Sequence, residues 1–430
     1  KSKSRVKTQP GYIRTLIAGL SRHQSRWRWI GVLGSCVIII IAYGYGLHRI
    51  LEFDPARNEG EVVVGYFQPS LEPAYDAYRN DRQYVAGAFN LFANLGLKTI
   101  LTARGELDVL VAPESAAPFH SSAAPDTDSS AAWQDRQREL YSPTMHSILI
   151  LLARYGRVDI VYNELTVAAN HGYHNSITVM DAESAERTAS YHKRRLIPFG
   201  EYLPGELESD SVLRPFFPEV SRYRPGDHAL PLPIQIHRNP NRPARRRPVA
   251  LPELRPETMT LLSDPAAVRA RFPAPGRTSD EIDLERTVYF APLVCYESLF
   301  PEYVRAFFIQ RQRPVPALII NTSNDVWFGN FIEVYQHNAG ARLRAIEMGR
   351  YMVRANQSGL STIFDPLGRA VVPPLQPGER DVRAAAVPLR TEVTAYMRHG
   401  NFSVFLFTGI VILLMVIGLC YPSLRRPPVA

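Results

Sequence analysis

The stretch TVYFAPLVCYESLFPEYV, residues 287–304, decides the fold class and points to one side chain. It begins as an apolar run typical of a buried strand and breaks off at Cys295, with Glu297 two residues later. A side chain at the end of a strand emerges from the packed sheet, so a thiol there is a candidate nucleophile. A cysteine that packs as a small hydrophobic side chain is the alternative. The other two cysteines, Cys36 and Cys420, lie in strongly apolar segments, and Cys295 has no evident disulfide partner.

Short apolar runs of strand type alternate with segments of helical periodicity on both sides of this stretch. Such alternation is typical of an α/β architecture. The predicted strands are 61–67, 107–112, 158–162, 175–180, 187–191, 317–321, 351–355 and 361–364, and the predicted helices are 76–97, 145–155 and 333–348. Of these strands, 175–180 and 187–191 are predicted to form a hairpin.

Two stretches interrupt this pattern. Residues 115–142, rich in Ala, Ser, Pro and Asp, predict a loop directly after Glu114, with a lid as a functional alternative. Residues 205–286 are rich in proline and contain the basic cluster 245–247. This composition predicts a surface insertion without its own core. Contact of the arginines with anionic lipid is the alternative reading of that cluster.

Two apolar segments, at 30–50 and 402–421, are about long enough to cross a bilayer and predict transmembrane helices. A signal peptide, the alternative for the first, fits poorly because a long basic region precedes it. Lys and Arg resist translocation, so the basic segment 1–29 and the tail 422–430 are expected in the cytoplasm. The domain at 60–395 is then expected outside, in a bacterium the periplasm, where oxidising conditions make an unpaired thiol point to a chemical role.

Composition excludes several classes of function. The chain has 430 residues, 46% of them hydrophobic, which is enough for a large core and excludes a disordered protein. The formal net charge of +8 is concentrated beside the apolar segments and in the proline-rich stretch, so we expect no nucleic-acid partner. No glycine-rich phosphate loop occurs, and the histidines do not cluster at ligand spacing, so we expect neither a metal nor an organic cofactor.

Three polar residues stand where a predicted strand gives way to a loop: Glu114, Lys193 and Cys295. A thiol that attacks an acyl carbonyl needs a base to take its proton, and positive charge or donors where the oxyanion develops. Carboxylate, ammonium and thiol meet these needs. Spacing alone is weak evidence, because acids and lysines are common and these three are far apart in sequence.

The residues around them are more specific. VLVAPES around Glu114, YHKRRLIPFGEYLP around Lys193 and VCYESLFPE around Cys295 resemble, in that order, the three catalytic motifs of the nitrilase superfamily. The second and third are similar to the apolipoprotein N-acyltransferase family, as are TSNDVWFG, QHNAGARLRAIEMGRYMVRANQSGLSTIFDPLGR and TAYMRHGN. The likeness runs from about residue 61 to the C-terminus, apart from the proline-rich insertion.

The resemblance implies a four-layer α-β-β-α sandwich, flanked here by transmembrane helices. It implies Cys295 as nucleophile, Glu114 as general base and Lys193 as the cation that stabilises the tetrahedral intermediate. Glu201 matches a second acid that helps to position the thiol or the incoming amine.

Three further positions have less defined roles. Tyr296 and Glu297 match residues that border the nucleophile, with binding or supporting roles. Trp327, in TSNDVWFG, is expected to contact lipid or gate access, with core or interface packing as the alternative.

The implied reaction has two steps and takes place in a multi-pass protein of the bacterial inner membrane. Cys295 takes an acyl chain from a membrane phospholipid as a thioester, and the N-terminal amine of a diacylglyceryl-cysteine lipoprotein then accepts it. A membrane-anchored nitrilase-like amidase or hydrolase, with water as acceptor, is the alternative; a silent surface scaffold is disfavoured because all three residues are present. Members of the family usually carry several more transmembrane helices ahead of this domain. The sequence leaves open whether these are truncated here or belong to a separate product.

Overall fold

The computed structural model describes residues 24–71, 82–103, 106–116, 132–168, 173–203, 223–236, 262–273, 286–310, 312–326 and 332–420. The chain divides into two compact units. One consists of the terminal segments, Lys1–Pro55 and Asn401–Ala430, and the other of Ala56–Gly400.

Helices and strands are numbered here in chain order over the described residues. The helices are α1 (Gln24–Glu52), α2 (Arg82–Thr102), α3 (Ala132–Gly156), α4 (Pro265–Arg271), α5 (Pro301–Ala306), α6 (Ile332–Met348), α7 (Ala395–His399) and α8 (Phe402–Cys420). The strands are β1 (Glu61–Gln68), β2 (Val109–Val111), β3 (Asp159–Val167), β4 (Tyr173–Met180), β5 (Arg187–His192), β6 (Leu232–Ile236), β7 (Arg286–Val294), β8 (Leu318–Ser323), β9 (Tyr351–Asn356), β10 (Thr362–Phe364) and β11 (Asp381–Pro388).

The unit Ala56–Gly400 is built on two sheets among its described residues. One has six strands in the order β11-β1-β2-β3-β4-β5, and the other has five in the order β10-β9-β8-β7-β6. Helices α2 and α3 cover the first sheet, α6 covers the second, and the two sheets face each other. The described part of this unit is therefore an α-β-β-α sandwich with an α/β fold, as the sequence predicts.

Burial on both faces explains why the strands are almost continuously apolar. In β1, Val64 and Tyr66 point into the core between the sheets, while Val63 and Phe67 pack in the core under the helices. Because successive side chains of a strand alternate between faces, one apolar strand serves both cores. All eight residues of β1 except Glu61 are buried.

The parallel strands place their carboxyl ends together. Strands β1, β2 and β3 run parallel in one sheet, as do β7, β8 and β9 in the other. Glu114 follows β2, and Cys295 follows β7 directly. Both side chains therefore lie at the strand ends where clefts form in α/β proteins.

Two predictions from the sequence were wrong within the described residues. Part of the stretch 205–286 is not a surface insertion, because Leu232–Ile236 pairs antiparallel with β7 and buries Ile234 between the sheets. This segment, β6, is an edge strand and therefore tolerates Pro233. The proline lacks only a backbone N–H that would point away from the sheet. The predicted loop 115–142 ends early, since α3 begins at Ala132, where strong helix formers such as Gln, Arg, Glu and Leu follow.

Two helices have the length and composition to cross a membrane among the described residues. The first, Leu33–Glu52, has a mean hydropathy of 1.5 and no buried part. The second, Tyr84–Thr102, is more than half buried and belongs to α2, a core helix. Helix α8 contributes the shorter apolar helix Phe402–Leu413 to the terminal unit.

Candidate active site

Cys295 lies at a sharp turn of the backbone. It follows β7 directly and begins a 3₁₀ helix, Cys295–Leu299. Its φ of 53° is in the left-handed region, which costs a residue with a side chain roughly 1–3 kcal/mol and persists only where the surroundings impose it. The side chain is only 4% exposed. The break in the apolar run that the sequence shows is thus a strained turn at the residue carrying the thiol.

The structure brings the three other predicted polar residues together beside this turn. Lys193 is fully buried, and its Nζ lies 2.8 Å from Glu201 Oε1 and 3.8 Å from Glu114 Oε1. Glu114 and Glu201 are 6% and 8% exposed. The charges of all three act on the thiol of Cys295. Residues separated by up to 181 positions in sequence therefore form one buried cluster.

Asn175 completes this cluster, although the sequence motifs do not predict a role for it. From β4, its Nδ2 donates to Glu114 Oε1 at 2.8 Å and to Glu201 Oε1 at 3.3 Å. Asn163 on β3 fixes the amide, because its own Nδ2 donates to Asn175 Oδ1 at 2.6 Å. Asparagine is depleted in strands, so two asparagines inside buried strands were the signal available in the sequence.

Burial and charge set the protonation of the site. Burial raises the pKa of Cys295, the Glu114 charge raises it further, and Lys193 offsets only part of this. Burial also raises the pKa of Glu114, against the lowering effect of Lys193. For Lys193, burial lowers the pKa, but the charges of Glu201 and Glu114 outweigh it and raise the pKa above its usual value. The resting site therefore holds a neutral thiol, an ammonium ion, and a carboxyl with enhanced affinity for a proton.

Glu114 has the geometry of a proton acceptor. Its Oε1 is occupied by Asn175, whereas its buried Oε2 has no hydrogen-bond partner of ordinary geometry. Glu201 differs, because its Oε1 accepts from Lys193 and its Oε2 accepts from the backbone N–H of Ile197 at 2.9 Å. Of these two acids, Glu114 is the one with an oxygen left for a proton.

Glu297 holds the turn together from inside. It is fully buried, and burial raises its pKa against the hydrogen bonds it accepts. It accepts hydrogen bonds from the Tyr191 hydroxyl at 2.7 and 2.8 Å and from the backbone N–H groups of Val294, Arg194 and Arg195 at 2.9, 2.8 and 3.1 Å. It thus ties the segment after Lys193 to the turn at Cys295.

Tyr296 borders the site on one side. Its hydroxyl donates to Leu196 O at 2.5 Å, and Lys193 Nζ lies 5.6 Å from the centre of its ring. Burial raises the pKa of Tyr296 to about 12. Trp327, the remaining predicted site residue, lies outside the described residues. Within the described residues, no group of three or more His, Cys, Asp or Glu side chains is arranged to hold a metal ion.

Comparison with known families assigns the chain to a family. The sequence profile described as "Carbon-nitrogen hydrolase" matches residues 76–396, which include all four residues of the predicted catalytic set. The chain belongs to the carbon-nitrogen hydrolase family.

Curated members with similar sequences carry a narrower name. An apolipoprotein N-acyltransferase 1 of Leptospira interrogans serogroup Icterohaemorrhagiae serovar Lai (strain 56601) is 32% identical over 89% of this chain and 62% of its own length. An apolipoprotein N-acyltransferase 2 of serovar copenhageni (strain Fiocruz L1-130) is 29% identical over 96% of this chain and 67% of its own. The chain thus spans less than two thirds of the first relative.

Two solved structures with a similar fold have lower sequence identity. An amidase from Nesterenkonia sp. has 16% sequence identity and a TM-score of 0.44 over 80% of this chain and 95% of that one. A carbon-nitrogen hydrolase from Helicobacter pylori G27 has 14% identity and a TM-score of 0.44 over 76% and 89% of the two chains.

Proposed function

We propose that this chain is an N-acyltransferase that moves an acyl chain from a membrane phospholipid to the N-terminal amine of a diacylglyceryl-cysteine lipoprotein. The observation that carries the proposal is the buried cluster of Glu114, Lys193 and Cys295. It occurs in a chain whose curated relatives are named apolipoprotein N-acyltransferases. Cysteine, carboxylate and ammonium together supply a nucleophile, a base and a stabilised oxyanion.

In the first step Cys295 Sγ attacks the ester carbonyl of the phospholipid. Glu114 takes the thiol proton as the sulfur–carbon bond forms, and the Lys193 ammonium stabilises the oxyanion. The tetrahedral intermediate then collapses with cleavage of the carbon–oxygen ester bond. Glu114 returns its proton to the leaving oxygen, and a lysophospholipid leaves with Cys295 held as a thioester.

In the second step the lipoprotein amine attacks the thioester carbonyl. Glu114 takes a proton from the amine, the carbon–sulfur bond breaks, and the proton returns to the Cys295 sulfur. Lys193 stabilises the second oxyanion as it did the first. Glu201 keeps the ammonium in place, because it forms the shorter of the two contacts to Lys193 Nζ.

The raised pKa values of the cluster suit this cycle. A buried thiol that is neutral at rest reacts slowly with other electrophiles. A carboxyl with raised proton affinity is a stronger base at the moment of attack. The proton needs no solvent in either step, because the same carboxyl takes it and gives it back. The same cycle serves an amine or a water acceptor, so the choice of the amine is supported by the named relatives and not by the cluster itself.

We further propose that α1 and α8 cross the inner membrane and that the unit Ala56–Gly400 lies in the periplasm, with Glu297 and Tyr296 supporting the nucleophile and Trp327 contacting lipid. Support comes from the length and composition of Leu33–Glu52 and from the basic flanks of the apolar segments. Both substrates are anchored in a membrane, so an enzyme acting on them has to be held there.

A transfer assay tests the proposed function. The full chain in phospholipid vesicles with an isotope-labelled acyl chain is mixed with a synthetic diacylglyceryl-cysteinyl peptide. We expect mass spectrometry to find the labelled acyl group on the peptide amine, and Cys295→Ala to give none. Release of labelled fatty acid, with or without peptide and with no N-acyl product, would instead assign the protein as a hydrolase.

A further inference from the structure

A second buried cluster lies next to the backbone of Cys295. It consists of Asn321 on β8, Asp325 just after β8, His337 on α6 and Arg354 on β9. Their exposed fractions are 0%, 1%, 4% and 0%. Burying charged groups costs several kcal/mol unless they are paired, so these side chains have to be held in defined contacts.

Two members of this cluster contact the backbone of Cys295 itself. The carbonyl oxygen of Cys295 accepts from Asn321 Nδ2 at 3.2 Å, and His337 Nε2 lies 3.2 Å from the same oxygen. The Ser298 hydroxyl is also near, 3.3 Å from that carbonyl and 3.4 Å from His337 Nε2. The residue with the left-handed φ is therefore held at its carbonyl by side chains from two different elements.

Arg354 fixes the orientation of Asn321. A guanidinium group only donates, so Asn321 must present Oδ1 to Arg354 Nη1, with which it makes a hydrogen bond. The amide nitrogen then faces the other way, where it donates to Cys295 O and to Leu293 O at 3.1 Å.

Asp325 fixes the orientation of His337. Its Oδ2 accepts from Arg354 at 2.8 Å and from Asn356 at 2.6 Å, and its Oδ1 accepts from Ser323 Oγ at 2.9 Å. An ionised carboxylate only accepts, so the histidine must carry a hydrogen on Nδ1, which lies 2.9 Å from Asp325 Oδ1. Its Nε2 then carries no hydrogen, so it can accept from the Ser298 hydroxyl at 3.4 Å but cannot donate to the Cys295 carbonyl.

The charges support this assignment. Burial raises the pKa of Asp325, but Arg354 and His337 outweigh it and keep the pKa of Asp325 well below its usual range. Burial and the charge of Arg354 lower the pKa of His337, while Asp325 raises it in part. The groups facing the imidazole are Asp325, Arg354, Ser298 and the Cys295 carbonyl. A neutral histidine with a fixed tautomer is the result near neutral pH.

We propose that Asn321, Asp325, His337 and Arg354 form a clamp that imposes the left-handed backbone of Cys295 and so fixes the position of its thiol. Asn321 donates to the Cys295 carbonyl, and His337 is a positioning residue that acts through the Ser298 hydroxyl. The clamp rests on the proposed function in one respect only, namely that Cys295 is the nucleophile. It involves no contact with substrate, so thiol reactivity alone can test it.

The test compares two substitutions of His337. In His337→Asn, the amide nitrogen takes the place of Nδ1 and keeps a donor toward Asp325, but no acceptor is left for the Ser298 hydroxyl at the place of Nε2. In His337→Gln, the longer amide reaches the place of Nε2, where its oxygen restores an acceptor for that hydroxyl. His146→Asn, which changes a half-buried histidine on α3, is the control.

The readout is the rate at which iodoacetamide alkylates Cys295 in the full chain in detergent, followed by peptide mapping. We expect His337→Asn to react about tenfold more slowly, the change that ~1.4 kcal/mol produces, and His337→Gln and the control to stay within about threefold of the parent protein. Unfolding midpoints establish that each variant is folded. Equal slowing by Asn and Gln, or a parental rate for Asn, would overturn the clamp.

Asn321→Asp provides a second test that does not alter the histidine. Aspartate keeps the contact to Arg354 but turns an acceptor instead of a donor toward the Cys295 carbonyl. We expect alkylation at least tenfold slower, and an unchanged rate in the folded variant would again contradict the proposal. Because no phospholipid is present, failure here leaves the transfer reaction untouched, and failure of transfer leaves the clamp untouched.

Discussion

Two buried charge clusters adjoin Cys295, and each combines at least one carboxylate with a cation and an asparagine. The front cluster, Glu114, Asn175, Lys193 and Glu201, has two acids around one ammonium and leaves Glu114 Oε2 without a partner. In the clamp, both oxygens of the one acid, Asp325, are occupied by donors. Burial raises the pKa of Glu114, whereas Arg354 and His337 lower that of Asp325.

This difference shows how a protein separates reactivity from support. An incompletely paired acid is costly to bury, and its remaining affinity for a proton is what makes it useful as a base. A fully paired acid titrates far from neutral pH and only holds its neighbours in place. The surroundings of each carboxyl therefore separate the two roles: burial and the charge of Glu201 raise the pKa of Glu114, whereas Arg354 and His337 lower that of Asp325.

The largest expected effect is on activity and comes from the front cluster. Glu114→Gln keeps the shape of the side chain and its contact to Asn175 but removes the base, so we expect acyl transfer to fall by about 10²–10⁴-fold. The transfer assay measures it. Glu347→Gln on α6 is the matched control, because burial also raises the pKa of that acid and its Oε2 likewise has no hydrogen-bond partner, but its charged neighbour is Arg344 rather than Lys193. Transfer at more than a tenth of the parental rate in Glu114→Gln would assign the proton to another group.

The largest expected effect on stability comes from the clamp. Asp325→Ala leaves Arg354 charged and unpaired in the core, which costs about 3–5 kcal/mol. Urea unfolding of the full chain in detergent measures the loss. The control is Asp381→Ala, which removes an acid whose pKa Lys98 and Arg383 lower to about 2 but which is partly exposed, so the expected loss is about 0–1 kcal/mol. Equal losses at the two positions would contradict the comparison.

The two clusters also predict opposite responses to pH. Because the folded pKa of Glu114 is above its unfolded value, the native state binds the proton more tightly, and stability from this group is lost as pH rises between the two values. Asp325 has a lowered folded pKa, so its contribution is present above the unfolded value, about 3.9, and is lost as pH falls below it.

Comparison of Glu114→Gln with the parent protein isolates the first of these responses. Relative to the parent, the variant should gain stability as pH is raised from about 4 toward neutral, by about 2–4 °C in the unfolding midpoint for each 1 kcal/mol. Thermal scans at several pH values measure the gain. A difference that does not change with pH would show that Glu114 titrates normally.

The smallest effect is expected at the edge of the front cluster. Tyr296→Phe removes the hydrogen bond to Leu196 O but keeps the ring beside Lys193 Nζ. We expect a loss of about 0.5–1.5 kcal/mol in the free energy of unfolding and transfer within about threefold of the parent. The same unfolding and transfer measurements apply. A loss of activity of a hundredfold would make this hydroxyl part of the chemistry.

Glu114, Lys193 and Glu201 of the front cluster were predictable because they lie in recognisable motifs, whereas Asn175, inside β4, was not. The core strands were equally accessible, since β1 and β8 are apolar runs bounded by polar residues. The proline content of 205–286 concealed β6, because an edge strand accepts a proline that a central strand would not.

The clamp was not accessible in the same way. Asp325, His337 and Arg354 lie inside stretches that carry the family resemblance, but their spacing does not show that the fold brings them together beside Cys295. A further signal was Arg354 in the buried strand YMVRAN, since an arginine in an apolar strand needs a buried partner. The left-handed backbone of Cys295 also has no sequence signal, because non-glycine residues adopt it only under tertiary constraint.

The most direct measurement of the central claim is the mass of the intact protein after exposure to phospholipid. The full chain is reconstituted with vesicles of one synthetic phospholipid, without any acceptor, and Cys295→Ala is treated in parallel. We predict a gain of one acyl chain that maps to Cys295, is removed by neutral hydroxylamine and is absent from the variant. A folded, reconstituted protein that gains no acyl chain, or gains it at another residue, would contradict the account.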